Sequence, residues 1–219
     1  MRGPGSVGVG SLRGRPLLAE SLGLLAALVV LIVVFSLRTQ HFFSPTTFLA
    51  IANQIPAALL VAVSMTYVLI VGEIDLSVGS VLGLCSAVLG VALVQWQWPL
   101  PVAVAVALAA GVLCGAFNGL VTLRWRIPSF IVTLGMLEMA RGGAHALTQS
   151  QTQYIGSAVE GIAGAVVLGL SVPFFLAVAV VLVAQLVLTQ TVFGRYMIAI
   201  GTNPEAVRLS GIDPRPVKL

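Results

Sequence analysis

A chain of 219 residues that is 58% hydrophobic and only 8% charged, with a mean hydropathy of +1.08, carries more apolar surface than one soluble core can hide. Its net charge of +4 sits mostly between apolar runs, which marks membrane orientation rather than affinity for nucleic acid. Lipid offers no partners to backbone N–H and C=O groups, and strand-length alternation is absent, so the runs read as helices of an all-α, polytopic transmembrane bundle.

Residues 1–16 are glycine-rich and carry Arg2, Arg13 and Arg15, which predicts a basic, disordered tail beside the inner leaflet and its lipids. Residues 17–219 read as one transmembrane domain. The first run, Leu17–Leu37, is longer than the apolar part of a signal peptide and lacks a small-x-small cleavage site, so it reads as an uncleaved helix. Further runs follow at Ile51–Val71 with Pro56, Val78–Val94, Val102–Val121, Pro128–Leu147 and Pro173–Val192. That makes about six spanning helices. Gly161–Leu170 is too short to span comfortably and reads as a re-entrant or interfacial helix.

Arg124 and Arg126 follow the fourth run, and Arg195, Arg208, Arg215 and Lys218 follow the sixth. A cytoplasmic N-terminus places all these basic groups inside and leaves only Arg38 in an outer loop. Trp96 and Trp98 are then interfacial aromatics on the outer side. Cys85 and Cys114 fall inside runs, behave as small hydrophobes and form no disulfide framework or metal pattern. No cofactor is implied.

Gly111, Gly115 and Gly119 recur every four residues and make a smooth stripe on one helix, and Gly79, Gly83 and Ala87 do the same on the preceding one. Such stripes let helices approach closely in lipid, within a subunit or between subunits.

Three segments carry candidate function. Gly72–Ser80 joins two runs and concentrates Glu73, Asp75 and Ser77 between glycines. It is either a solvated turn in which Asp75 or Ser77 caps the next helix, or a polar break facing a pathway. On the fifth run Glu138 and Arg141 stand three residues apart and can pair, with His145 one turn beyond Arg141 and Thr133 on a neighbouring face. They form a structural ion pair or a hydrophilic wall. The third segment is Gly201–Ile212. Asn203 suits an N-cap, Pro204 the first helical position, Glu205 the positive first turn and Gly211 the stop, which predicts a two-turn helix. Glu205 and Arg208 share its outer face. The sequence holds no P-loop, and its one lysine is Lys218. No hydrolytic or metal constellation is present, so an enzyme is not expected.

Met65–Gly79, Gly115–Gly135, Arg141-Gly142 and Phe193–Ile212 together resemble the permease subunit of bacterial ATP-binding-cassette importers for monosaccharides, the ribose/xylose type. The Glu73 form of the acidic motif, with Trp98–Pro101 and Ile127–Phe130, is closer to xylose permeases. The resemblance implies a second permease subunit, a cytoplasmic ATPase that hydrolyses the ATP, and an extracytoplasmic sugar-binding protein. It makes Glu73, Asp75, Ser77, Asn118, Ser129, Thr133, Glu138 and Arg141 the candidate pathway lining. It makes Gly201, Asn203, Glu205, Ala206, Arg208, Leu209 and Gly211 the candidate ATPase-coupling segment. It also implies roughly another hundred residues and further spans beyond Leu219, so the chain is expected to be a truncated product or a fragment. The competing reading is an ion-coupled secondary transporter that uses Glu73, Asp75 or Glu138, a class with broken helices and intramembrane acids. That class carries internal repeats, and no convincing repeat is found here.

Overall fold

The computed structural model describes residues 17–39, 41–163 and 165–219, with side chains omitted at 17–21, 157, 162 and 163. The expected basic tail at 1–16 lies outside the described residues. The elements run α1 Leu17–Arg38, α2 Pro45–Ile70, α3 Val78–Val94, α4 Leu100–Trp125, α5 Ser129–Thr148, α6 Gly156–Ala163, β1 Val166–Val167, β2 Leu170–Ser171, α7 Val172–Gln190, α8 Val192–Thr202, α9 Pro204–Leu209 and α10 Arg215–Lys218. The protein is an all-α polytopic membrane protein. Among the described residues α2, α4 and α7 are both long and apolar enough to cross a bilayer. α3 is apolar but 17 residues long. α5 has 20 residues, and Glu138 and Arg141 dilute its apolar character.

The described residues divide into two compact units, one up to Ala50 and one from Ile51. In the first, Phe35 at the end of α1, Phe42 and Phe43 in the turn and Phe48 at the start of α2 form a chain of ring contacts. The second unit holds every candidate residue. Its centre is α3 packed on α4 and α5, and apart from Met136 the buried apolar side chains of these three helices are small: Ala87, Val91, Ala92, Ala103, Ala107 and Ala140. Small side chains let the helix backbones close up where lipid supplies no hydrophobic drive.

α2 and α7 are joined at two levels. Near the start of α2 the Asn53 amide donates to the Gly169 carbonyl at 3.4 Å and accepts from the Ser171 N–H at 2.8 Å. Near its end the Tyr67 hydroxyl donates to the Ala184 carbonyl at 2.6 Å.

One expectation is corrected. Gly161–Leu170 is not the one re-entrant or interfacial helix expected: α6 ends at Ala163, and Val166–Ser171 forms a β-hairpin with Val166 opposite Ser171. Its two-residue turn, Leu168-Gly169, has positive φ at both positions (54° and 84°), the hand that matches strand twist. The chain breaks at Thr191, where ψ swings to 160°, and restarts as α8 with the Thr191 hydroxyl accepting from the Gly194 N–H at 3.2 Å.

Candidate functional site

Beyond α2 the chain runs through residues 73–77 without a helix ladder, so its N–H groups need outside partners. α5 supplies two of them. The Ser129 hydroxyl accepts from the Ile74 N–H at 3.0 Å, and Thr133, one turn on, accepts from the Leu76 N–H at 3.1 Å. The buried Thr133 hydroxyl also lies 2.9 Å from the Ser129 carbonyl. Asp75 folds back on its own turn, its Oδ1 accepting from the Ser77 N–H at 2.7 Å and the Ser77 hydroxyl at 2.6 Å. Ser77 is fully buried and receives the Asn118 amide from α4 at 3.2 Å. At about 1 kcal/mol net for each bond, these links fix the turn against α4 and α5.

Ser77 stands at the N-cap position of α3, yet its hydroxyl makes no capping bond. It is committed to Asp75 and Asn118 instead, which corrects the simple cap reading of this turn.

Glu73 pairs with Lys218 on α10, Nζ to Oε1 2.5 Å, and both side chains are three-quarters or more buried (24% and 18% exposed). The sequence analysis gives Lys218 no place in the site. The sole local signal for it is that it is the one lysine in the chain. The cleft around these groups has a volume of about 220 Å³ and is lined by Glu73, Asp75, Asn118, Thr122, Thr133 and Lys218, with Gly115 and Gly119 of α4 on one wall. Thr122 is a second lining residue that no motif indicated.

Six of the eight pathway candidates therefore come together: Glu73, Asp75, Ser77, Asn118, Ser129 and Thr133. Glu138 and Arg141 do not join them. They pair with each other at 3.3 Å, with side chains 65% and 58% exposed. Arg141 and His145 line a separate groove beside Gly79 and Gly83. Of the packing glycines, Gly111 backs onto Cys85 and Gly119 onto Leu219, while Gly79, Gly83 and Gly115 face open space.

The capped segment forms α9. The Asn203 side chain accepts from the Ala206 N–H at 3.0 Å, and Pro204 opens the helix. Gly211 (φ +84°) closes it, with its own N–H bonded to the Arg208 carbonyl and the Ile212 N–H to the Val207 carbonyl. Glu205 and Arg208 pair at 3.2 Å on the exposed side, next to Leu209, which is 80% exposed. Gly201 ends α8 against the Ile70 carbonyl at the close of α2. The 70–77 turn, the 126–128 link and α9–α10 thus gather at one end of this unit, where Glu73, Arg126, Pro204 and Arg215 border one crevice.

The family model for the permease component of branched-chain amino acid transport systems matches residues 47–219. The chain belongs to this permease family. It is 33% identical over 198 residues to the ribose import permease protein of Haemophilus influenzae, covering 88% of this chain and 61% of that protein. It is 31% identical to the L-arabinose ABC transporter permease protein of Azospirillum brasilense, covering 90% of this chain and 58% of that one. It is 32% identical to the fructose import permease protein of Rhizobium meliloti, covering 86% and 56%. The chain thus spans about three fifths of the length of the curated relatives it matches. No solved structure matches it.

Proposed function

We propose that this chain serves as a membrane subunit of an ATP-driven importer and forms part of a monosaccharide pathway. The observation that carries this is α9, a capped two-turn helix presenting Leu209 and the Glu205–Arg208 pair at the same end of the unit as the polar cleft. The kinship with permeases named for ribose, L-arabinose and fructose supplies the substrate class. α9, with Gly201, Asn203, Ala206 and Gly211 setting its position and ends, docks on a cytoplasmic ATPase. Glu73, Asp75, Ser77, Asn118, Ser129 and Thr133 line or brace the pathway, and Glu138 and Arg141 line a second polar face. A second permease subunit completes the conduit, and an extracytoplasmic binding protein delivers the sugar. The N-terminus and α9 face the cytoplasm. The ion-coupled alternative loses its ground with the family.

Reconstitution tests this reading. Proteoliposomes holding the chain, an ABC ATPase and a sugar-binding protein from the same genome take up D-ribose, D-fructose or L-arabinose when ATP is supplied. The chain alone, lacking a P-loop, hydrolyses no ATP. Sugar uptake by the chain alone under a proton gradient would overturn the proposal.

A further inference from the structure

At the α9–α10 end of the second unit, two arginines have no carboxylate paired with their guanidinium groups. The ion pairs at this end, among the described residues, are Glu205–Arg208 and Glu73–Lys218. Neither includes Arg126, which follows α4, or Arg215, which opens α10. These two are far apart in sequence, yet they face one crevice. Its two lobes have volumes of about 560 and 530 Å³ and share Arg126, Pro204, Pro214 and Arg215 as walls. The walls are stiff. The prolines have fixed φ, and Arg126 is held in the left-handed region (φ 55°, ψ 33°) at the C-cap of α4.

The charge of the crevice defines its occupant. Beyond the two pairs, one further carboxylate lines it, that of Asp213, whose Oδ1 accepts from the Arg215 N–H at 3.0 Å. Two guanidinium groups against one carboxylate leave an excess of one positive charge. α4 defines the depth. Its 26 residues span about 39 Å, more than the roughly 30 Å of hydrocarbon, so its end reaches the headgroup zone. Trp125, 64% exposed between Arg124 and Arg126, is the amphipathic aromatic that such a depth favours. Ile127 and Phe130 continue the exposed apolar surface.

We propose that this crevice docks the phosphate of an anionic phospholipid, bridged by Arg126 and Arg215, with the acyl chains beside Trp125 and Ile127. A phosphodiester brings one negative charge and acceptor oxygens that match the guanidinium fork. A zwitterionic headgroup would bring its own cation to the excess positive charge. An acidic protein surface would match the charge and leave the exposed Trp125 without a tail to cover it. The proposal stands apart from the importer reading, because lipid retention needs neither ATP nor sugar.

Native mass spectrometry of the full chain tests it, with dioleoyl-phosphatidylglycerol and dioleoyl-phosphatidylcholine titrated in the same detergent. The wild type holds the anionic lipid about tenfold more tightly or better. Arg126→Gln and Arg215→Gln each cut that preference about fivefold, the worth of one arginine beside an anionic headgroup. Arg126→Lys keeps more of it than Arg126→Gln. Arg38→Gln removes the same charge from the first unit and leaves the preference unchanged.

Equal retention of the two lipids by the wild type overturns the proposal. So does a preference that survives the double variant, or one that Arg38→Gln reduces as much as Arg126→Gln does. Inorganic phosphate separates a lipid site from a free-anion site. It raises the thermal midpoint no more than chloride at equal ionic strength, and a rise equal to that with the anionic lipid overturns lipid docking. A double variant that keeps the lipid preference but no longer assembles with an ABC ATPase assigns the surface to that protein instead.

Discussion

Among the glycines of the described residues, Gly201 has the closest backbone neighbour. A Cβ there would stand 1.7 Å from the Ile70 carbonyl oxygen and 2.9 Å from its carbon, and both atoms are backbone. Neither can swing aside as a side-chain tip would. Gly201→Ala therefore forces the end of α8 away from the end of α2. A loss of about 1–3 kcal/mol is expected, the range for overpacking a tight site, read as a lower thermal midpoint of the purified chain in detergent. Gly211 is a milder case. Its φ of +84° favours glycine, so Gly211→Ala costs about 1 kcal/mol locally. Gly211→Val frays the end of α9 and leaves membrane insertion intact. In the reconstituted importer it separates ATP hydrolysis from sugar uptake. Unchanged rates for Gly211→Val and Arg208→Glu would reduce α9 to a connector.

Among the elements α5 carries the sharpest conflict between sequence and solvent. Its Glu138–Arg141 pair lies mid-helix and exposed on this chain, in a helix of a membrane protein. Bare lipid is a poor neighbour for either charge. Glu138→Gln alone and Arg141→Gln alone each leave one charge uncompensated, so both lower the yield of folded protein in membranes. The double substitution recovers part of that loss. Strictly additive losses, measured by fluorescence-detected size exclusion, would show that the pair is not coupled. The elements also show what a sequence reveals. α9 was legible because Asn203, Pro204 and Gly211 each act within a few residues of their own backbone. The break at Thr191 was not: its one local mark is Gly194, which packs against the Leu188 backbone, and a lone glycine is common inside a membrane helix. The hairpin at Val166–Ser171 was hidden by its brevity, since two residues per strand show no alternation. Within the cleft, Asp75 and Ser77 were legible from one turn. The Glu73–Lys218 pair spans 145 residues, and no local pattern encodes it.

At the scale of the whole molecule, the family and the all-helical class followed from composition and four motifs, while sidedness follows from charge placement alone. Single-cysteine labelling with a membrane-impermeant maleimide checks it, on a Cys85→Ala, Cys114→Ala background. Gln151→Cys labels in intact cells and Thr202→Cys labels only after lysis. The reverse pattern would invert the topology. The two bonds between α2 and α7 add a mechanical property. Asn53 and Tyr67 lie 14 residues apart on α2, about 21 Å, and their partners Ser171 and Ala184 lie 13 apart, about 20 Å. Matched pegs at two levels oppose sliding of one helix along the other, so the pair acts as a pegged beam. One tip of that beam holds the 166–171 hairpin, and the other abuts Gly201 just before α9. The hairpin and the start of α9 thus stand at opposite tips of one pegged pair of helices. Removing a peg slackens the beam, so Tyr67→Phe accelerates hydrogen exchange in the second half of α7 while the exchange of α3 stays as it was.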